Sequence, residues 1–375
     1  MRQNQFEKFR KKIPSKSVSF VLHKNDKDFS DTYVYASEEI SNDVTYFSLF
    51  TSPNDNKEQI KKLELISKTK HSKSILIKPT LVKNHRTNDL NIIFQDSDNE
   101  LFLNNLSGSK IWSKKFESRI ISDIYQIDMY KNGRLQFVFL TLENLYIVDI
   151  KGNIVKKTGN KENTSKKYLS VFDYDKNKNY RLVVQEGKTV SMYDSKLDVV
   201  KGYRATKSKK TIANKMNHIR ILNKDFLIQY YDDKTFTIYD RRGRERIKLP
   251  KDLKYQSTVF KNNNKLIFQG EENEIIRIDI SGEISYQPYN ENIIGMVSNQ
   301  EILALHTDNK MIVNQNGFNI PYGNYTNPNI YQNYISTLNL DTKELFLFSK
   351  SKKIDRFPIF SSIFYDFSAI EKQTV

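Results

Sequence analysis

The stretch "DYDKNKNYR" (173–181) places hard oxygen donors, Asp173, Asp175, Asn177 and Asn179, at alternate positions, the spacing of the first half of a calcium loop. A loop of that kind needs Gly at its sixth place and a bidentate Glu at its twelfth, where Lys178 and Val184 stand, and Lys176 and Lys178 oppose a cation. The stretch therefore reads as a polar turn between strands, and no metal site is assigned. The five histidines, His23, His71, His85, His218 and His306, are scattered without an HxH or HExxH pair, and no GxSxG or P-loop pattern occurs. The absence of Cys excludes disulfides, thiol nucleophiles and Cys-ligated zinc or iron–sulfur sites. No catalytic residue and no cofactor is expected. Two basic stretches, "VKGYRATKSKK" and "DRRGRERIK", are the remaining candidates for chemistry. Their Lys201, Arg204, Lys207, Lys209, Lys210, Arg241, Arg242, Arg244 and Arg246 would form a partner- or anion-binding rim if the fold set them on one edge, with the Arg forks gripping phosphate or carboxylate. Aromatics for base stacking are sparse there, Tyr203 and Tyr239 excepted, which makes nucleic acid an unlikely partner.

The bulk composition bears on the same question. A net charge of +16 over 375 residues invites polyanions, yet Lys outnumbers Arg 46 to 14 and is enriched together with Asn and Ile along the whole chain, so the charge reads first as a solubility property. With 23 Phe and 22 Tyr against 12 Gly and 8 Pro, the composition favours strands. No run approaches 18 apolar residues, and the basic N-terminus has no apolar core behind it, so neither a membrane segment nor a signal peptide is expected.

The elements that would position these residues repeat. Seven apolar alternating runs each reach a short polar pivot and then a turn, with pivots at Asn105, Asp149, Asp194, Asp240, Asp279, Asn314 and Ser349, spaced 44, 45, 46, 39, 35 and 35 residues apart. The pivot oxygen accepts hydrogen bonds from the turn backbone, and Gly three residues on tolerates the left-handed conformation of a tight hairpin. Asn105/Gly108, Asp149/Gly152, Asp240/Gly243, Asp279/Gly282 and Asn314/Gly317 fit; Asp194 and Ser349, followed by Leu197 and Lys352, are expected to turn differently. Two further strands precede each hairpin, as in "IISDIYQIDMY" and "LQFVFLT". Four strands per period of about 40 make the blade of a β-propeller; a β-solenoid has much shorter rungs.

The expected fold is all-β, a β-propeller of seven complete four-stranded blades plus a partial eighth, preceded by a short mixed N-terminal segment. Residues 1–70 are expected to be the end of a preceding domain and 71–375 the propeller. Strands are expected in "TYVYASE", "VTYFSLFTS" and "KKLELISK", and a helical turn in "NKEQIKK". The final "SSIFYDFSAIEKQTV" resembles the first strand of a further blade, which needs partners from the N-terminal strands unless the chain is cut short.

The stretches "PTLVKNHRTNDLNIIFQDSDNELFLNN", "SDIYQIDMYKNGRLQFVFLT", "LSVFDYDKNKNYRLVV" and "IYDRRGRERI" resemble a family of uncharacterised Bacteroidetes cell-envelope proteins with a C-terminal propeller related to quinoprotein repeats. The resemblance runs from about residue 70 to 360. It implies a cell-envelope location; family members carry an N-terminal anchor and a complete last blade, and this chain is expected to lack both. It brings no activity with it. A quinone site would need a stacking Trp, acidic metal ligands and usually vicinal Cys; Trp112 is the only Trp, in "KIWSKKF", and reads as packing between blades. The expectation is a non-catalytic scaffold for protein–protein interaction, with a protein partner. The alternatives are polyanion or glycan binding through the basic rim, and an enzyme with its site assembled in the propeller channel.

Overall fold

The computed structural model describes residues 32–41, 44–53, 64–159, 166–355, 357–361 and 365–370. All their regular elements are strands. The helical turn expected in "NKEQIKK" and His23 lie outside the described residues.

The second strand of each repeat explains the architecture. Leu90–Gln95, Gln136–Leu140, Arg181–Glu186, Lys224–Tyr230, Lys265–Gln269, Leu303–Thr307 and Tyr334–Asn339 are near-continuous apolar runs buried on both faces. A strand shielded on both faces belongs in the middle of a stack of sheets, where alternation has no solvent side to mark. The outer strands are polar and exposed, as Ile154–Gly159 and Ile284–Pro288 demonstrate.

The fold is a β-propeller with seven four-stranded antiparallel sheets and one of three strands. In chain order, blades 1 to 7 occupy residues 80–115, 125–159, 167–194, 217–247, 260–288, 293–319 and 329–360. The remaining sheet joins Glu64–His71, Val44–Pro53, Thr32–Ser41 and Tyr365–Ile370 in that order, Thr32 opposite Ile370 and Ser37 opposite Tyr365. The last strand thus finds its partners among the N-terminal strands. Blade 3 has three laddered strands; its fourth place is held by residues 199–207 through the isolated bridges Tyr193–Val199 and Thr189–Lys207.

The described chain forms two compact units. One comprises the described residues up to 83, residues 88–116 and residues 365–370, and holds blade 1 with the sheet from both chain ends; its core gathers Ile75, Leu90, Ile92 and Phe94. The other comprises 84–87 and 117–363 and holds blades 2 to 7. Each successive pair of blades in this second unit shares an apolar seam. Ile127, Val138 and Ile147 meet Leu169, Leu182 and Val184 between blades 2 and 3; Tyr203 and Met192 meet Met216 and Leu227 between 3 and 4. Further seams join Phe226 and Ile238 to Leu266 and Phe268, Ile267 and Ile275 to Ile293 and Leu305, and Ile302 and Val313 to Phe346 and Phe348.

Five of the seven pivots make one turn. At Asn105, Asp149, Asp194, Asp240 and Asp279 the pivot carbonyl accepts from the N–H three residues on, and the pivot N–H donates to the carbonyl four residues on, at 2.8–3.2 Å. The pivot side-chain oxygen takes the N–H four residues on as well, and in the four Asp turns also the N–H two on. Asp194 was expected to turn differently but belongs to this set, with Leu197 at φ 63° where the others have Gly. Leu197 packs on the seam between blades 2 and 3, and burying Leu offsets the roughly 1–2 kcal/mol of a left-handed L-residue. Asn314 was expected to fit and does not: Asn314 and Gln315 both take positive φ in a two-residue hairpin, and Gly317 lies inside the strand Asn316–Asn319. Ser349 turns one residue shorter, its N–H donating to the carbonyl of Lys352.

Gly243 has φ 72°, and a Cβ there would sit 2.5 Å from the backbone nitrogen of Ala205. Gly133, at φ 82°, has nothing within 4 Å. Urea denaturation is expected to show Gly243→Ala destabilised by about 3 kcal/mol or more and Gly133→Ala by about 1 kcal/mol; equal losses would place the backbone contact at residue 243 in error.

Candidate protein-docking face

Antiparallel connection puts the first and third turns of every blade at one end and the second turn at the other. In blade 4, the strands Asn217–Ile221, Lys224–Tyr230, Phe236–Tyr239 and Glu245–Ile247 therefore set Leu222, Asn223 and the Asp240–Arg244 turn at one end, with Asp232–Thr235 opposite.

The nine basic candidates divide between these ends. Lys210 reaches Asp233 at 2.7 Å and the Thr235 hydroxyl at 2.7 Å, and Lys207 bridges Thr189 beside the corresponding turn of blade 3; Lys209 lies between them in sequence. Arg241, Arg242 and Arg244 belong to the opposite end, which Arg204 joins by donating its N–H to the Arg242 carbonyl at 2.9 Å. Lys201 is exposed on the same 201–205 segment, while Arg246, within the outer strand, stacks over Phe226 at 5.3 Å. The nine do not form one continuous rim, because strand Phe236–Tyr239 stands between the two groups.

Ion pairing sorts them further. Arg241 forks onto Asp175 at 2.9 and 2.6 Å, sets its Nε 2.5 Å from Asp225 Oδ2 and covers the Tyr174 ring at 4.7 Å. Arg220 donates to Asp175 at 2.9 Å and to the Tyr174 carbonyl at 2.8 Å, and His218 Nε2 lies 2.7 Å from Asp225 Oδ1. The network joins blades 3 and 4 around the buried Asp225. The hydrogen bonds from Arg241 and then Arg220 hold the Asp175 carboxyl down to about 2. Burial lowers the His218 pKa despite Asp225, so its imidazole is neutral at pH 7. Arg244 closes onto Asp240 of its own turn at 2.7 Å. Arg241, Arg244 and Lys210 are thus neutralised within the chain. Lys201, Arg204, Lys207, Lys209 and Arg242 are exposed and have no ion pair among the described residues. Sequence reasoning missed Asp225 and Arg220. The signal was present in Asp225, an acid opening the apolar run "DFLIQYY", where burial demands cationic partners.

The calcium-loop stretch is a turn at this same end. Asp173 accepts the N–H groups of Asn177 and Lys178, Asn177 accepts that of Asn179, and Lys178 reaches across to Asp128 of blade 2 at 2.6 Å. Among the described residues no group of three or more His, Asp and Glu could hold a metal. The described histidines have structural surroundings: His71 stands 3.3 Å from Asp96, His85 Nδ1 accepts the Leu135 N–H, and His306 is buried edge-on to Tyr325. Trp112 is half-buried on the outer strand of blade 1, opposite Leu103.

The same end also carries exposed apolar side chains at its tips: Tyr130 of blade 2 (57% exposed), Leu222 of blade 4 (62%) and Val199 beside the third turn of blade 3 (61%). With Arg204 and Arg242, this end of blades 2 to 4 has exposed Tyr and Arg groups on its hairpins, side-chain types in which protein contact energy concentrates. Among the described residues no helix is long and apolar enough to cross a membrane.

No family model and no curated relative matches the sequence. Solved structures match the fold. Apo AztD from Citrobacter koseri superposes with a TM-score of 0.54 at 9% identity, over 93% of this chain and 100% of that one. BamB from Moraxella catarrhalis gives 0.53 at 11%, over 80% and 90%. BBS1N, solved in complex with ARL6DN, gives 0.50 at 11%, over 71% and 89%. At these identities the likeness is one of fold.

Two outcomes follow from the electrostatics. Burial pushes the His306 imidazole down to about 4, below its unfolded value of about 6.5, so the neutral ring stabilises the fold above pH 6.5 and this contribution is lost as pH falls through about 4. Thermal midpoints measured from pH 7 to 4 are expected to fall less steeply in His306→Gln than in the parent chain; parallel curves would contradict the assignment. Asp225→Ala, which removes the buried acid shared by Arg241 and His218, is expected to lose about 3 kcal/mol in urea, against less than about 0.5 kcal/mol for the exposed Arg242→Ala.

Proposed function

We propose that the protein is a non-catalytic β-propeller that serves as a protein–protein interaction scaffold in the bacterial cell envelope, docking its partner on the first- and third-turn end of blades 2 to 4. The observation that carries this reading is the locked pair Arg204 and Arg242. Their loops are joined backbone to backbone, Gly243 seats one against the other, and both side chains are exposed while the acids around them, Asp175, Asp225 and Asp240, are engaged by other cations. Two exposed guanidinium groups on joined loops, at the same end of the blades as Val199 and Leu222, suit a protein segment presenting carboxylates beside aliphatic groups. Little backbone ordering entropy is spent on loops held in this way. BBS1N, a structure of similar fold, was solved in complex with ARL6DN, a precedent for the fold as a platform. The envelope location rests on the family resemblance of residues 70–360.

Binding of a long polyanion or glycan is the less favoured reading, because three of the nine cations are neutralised internally and the rest divide between two ends of the blades. Pull-down from an envelope extract, run in parallel with the parent chain and with Arg204→Glu/Arg242→Glu, tests the proposal. A defined protein recovered by the parent and reduced at least tenfold with the double variant, both folded by circular dichroism, is the expected result. Equal recovery by both chains would remove the two arginines from the interface. Salt-sensitive retention on heparin with no protein recovered would favour the polyanion reading.

A further inference from the structure

Two first turns of the second unit are built alike. In blade 2, Asp128 takes the N–H of Asn132 on Oδ1 at 3.0 Å and that of Gly133 on Oδ2 at 2.8 Å, and Asn132 Oδ1 accepts the Arg134 N–H at 3.1 Å. In blade 3, Asp173 takes the N–H groups of Asn177 and Lys178 at 3.1 and 2.9 Å, and Asn177 Oδ1 accepts the Asn179 N–H at 3.1 Å. Lys131 and Gly133 have φ 57° and 82°, and their counterparts Lys176 and Lys178 have 53° and 63°. The turns differ at the residue after the asparagine, which is Gly133 in one and Lys178 in the other. The sequence has one further Asn-Gly pair, Asn316–Gly317. Asn132, Gly133, Asn316 and Gly317 are all exposed, so exposure does not separate the two pairs. Backbone geometry does. Asn316 and Gly317 lie in the extended strand Asn316–Asn319, and the Asn316 amide donates to the Lys350 carbonyl of blade 7 at 2.9 Å.

We propose that Asn132 is a site of spontaneous deamidation in the folded protein. The Gly133 nitrogen bonds to Asn132 Cγ, the Cγ–Nδ2 bond breaks, and the amide nitrogen leaves as ammonia with the proton given up by Gly133; water then opens the five-membered imide to aspartate or isoaspartate. Glycine suits the attacking position because it has no Cβ to obstruct ring closure, and a Cβ at residue 133 would meet nothing within 4 Å, so the ring has room. The bond from the Arg134 N–H holds the Asn132 carboxamide back along the chain segment that contains the attacking nitrogen, and it stabilises the oxyanion as Cγ becomes tetrahedral. Asp128 Oδ2, already on the Gly133 N–H, is placed to relay the proton. Asn177 shares this geometry but is followed by the side chain of Lys178, and Asn316 has the glycine but is held extended with its amide tied to blade 7. The product sets a carboxylate between the exposed Lys131 and Arg134, beside Tyr130, and so lowers the positive charge of that tip as the protein ages. The reaction is independent of whether a partner docks at this end.

Peptide mapping by mass spectrometry of the folded full chain, aged in mildly alkaline buffer, with isoaspartate labelled by an isoaspartyl methyltransferase, tests the assignment beside a synthetic peptide of residues 127–138. Asn132 is expected to convert in the folded chain at a rate within threefold of the peptide, and Asn177 and Asn316 at least tenfold more slowly than Asn132. Gly133→Ala is expected to slow conversion at Asn132 at least tenfold, and Asn132→Gln to remove the isoaspartate label from this turn. Should Gly133→Ala fail to fold by circular dichroism, the comparison of Asn132 with Asn177 inside the parent chain takes its place. An unchanged Asn132 in the folded chain while the peptide converts overturns the proposal, as does equal conversion of Asn316. Neither result bears on partner capture through Arg204 and Arg242, so failure of either reading is seen separately.

Discussion

Burial of both faces of a sheet is the constraint from which the second unit follows. A strand such as Asp225 to Tyr230 has apolar side chains on both sides, and no arrangement of a single sheet hides them. Only a neighbour on each flank does, and the shared seams between blades 2 and 7 supply it, each filled by residues from two sheets. Some polar groups trapped in these seams are satisfied across them: Gln185 donates to Gln229 at 2.9 Å, and the Tyr230 hydroxyl accepts the Val259 N–H at 2.9 Å. Lys167 and Glu186, both nearly inaccessible, pair at 2.7 Å, and Lys167 also caps the Leu142 carbonyl of the preceding blade. Such contacts add little net stability but penalise any other register, because an unpaired charge in the seam is expensive.

Hairpin geometry is the second level of order. The pivot carboxylate gathers N–H groups that a turn would otherwise leave to water, so each blade ends in a stiff corner rather than a loose loop. These corners place the docking residues. Arg242 is where it is because Asp240 organises the turn around it, and Arg204 is held there by its bond to the Arg242 carbonyl. Rigidity in the strands and availability in the turns are thereby separated along the chain.

Much of this was legible in the residues. The period of the pivots, the four-strand unit and the β-propeller all follow from alternation and turn chemistry, which are local properties. The exceptions are instructive. Leu197 replaces Gly because a seam contact outweighs a backbone preference, and Asn314 departs from the pattern because Asn314 and Gln315 together accept positive φ. The site was legible only in part. That Arg241 and Arg244 are cationic is written in the sequence; that Asp175, 66 positions away, would absorb Arg241 is not, since the pairing arises from packing blade 3 on blade 4. The division of the basic residues between two ends was likewise invisible to charge counting, which ignores which turn a residue occupies.

Blade 3 departs from its neighbours in one respect with wider reach. Its outermost place is taken by residues 199–207, tied at Val199 and Lys207 and free of a ladder between them. A laddered strand is held by its own sheet alone, whereas this segment is also held from the next blade, at Arg204 through the Arg242 carbonyl and at Tyr203, buried in the seam. The segment carrying Arg204 thus ties two blades together, and it is its exposed side chains, Lys201 and Arg204, rather than its length, that evolution or an engineer could rewrite at little structural cost.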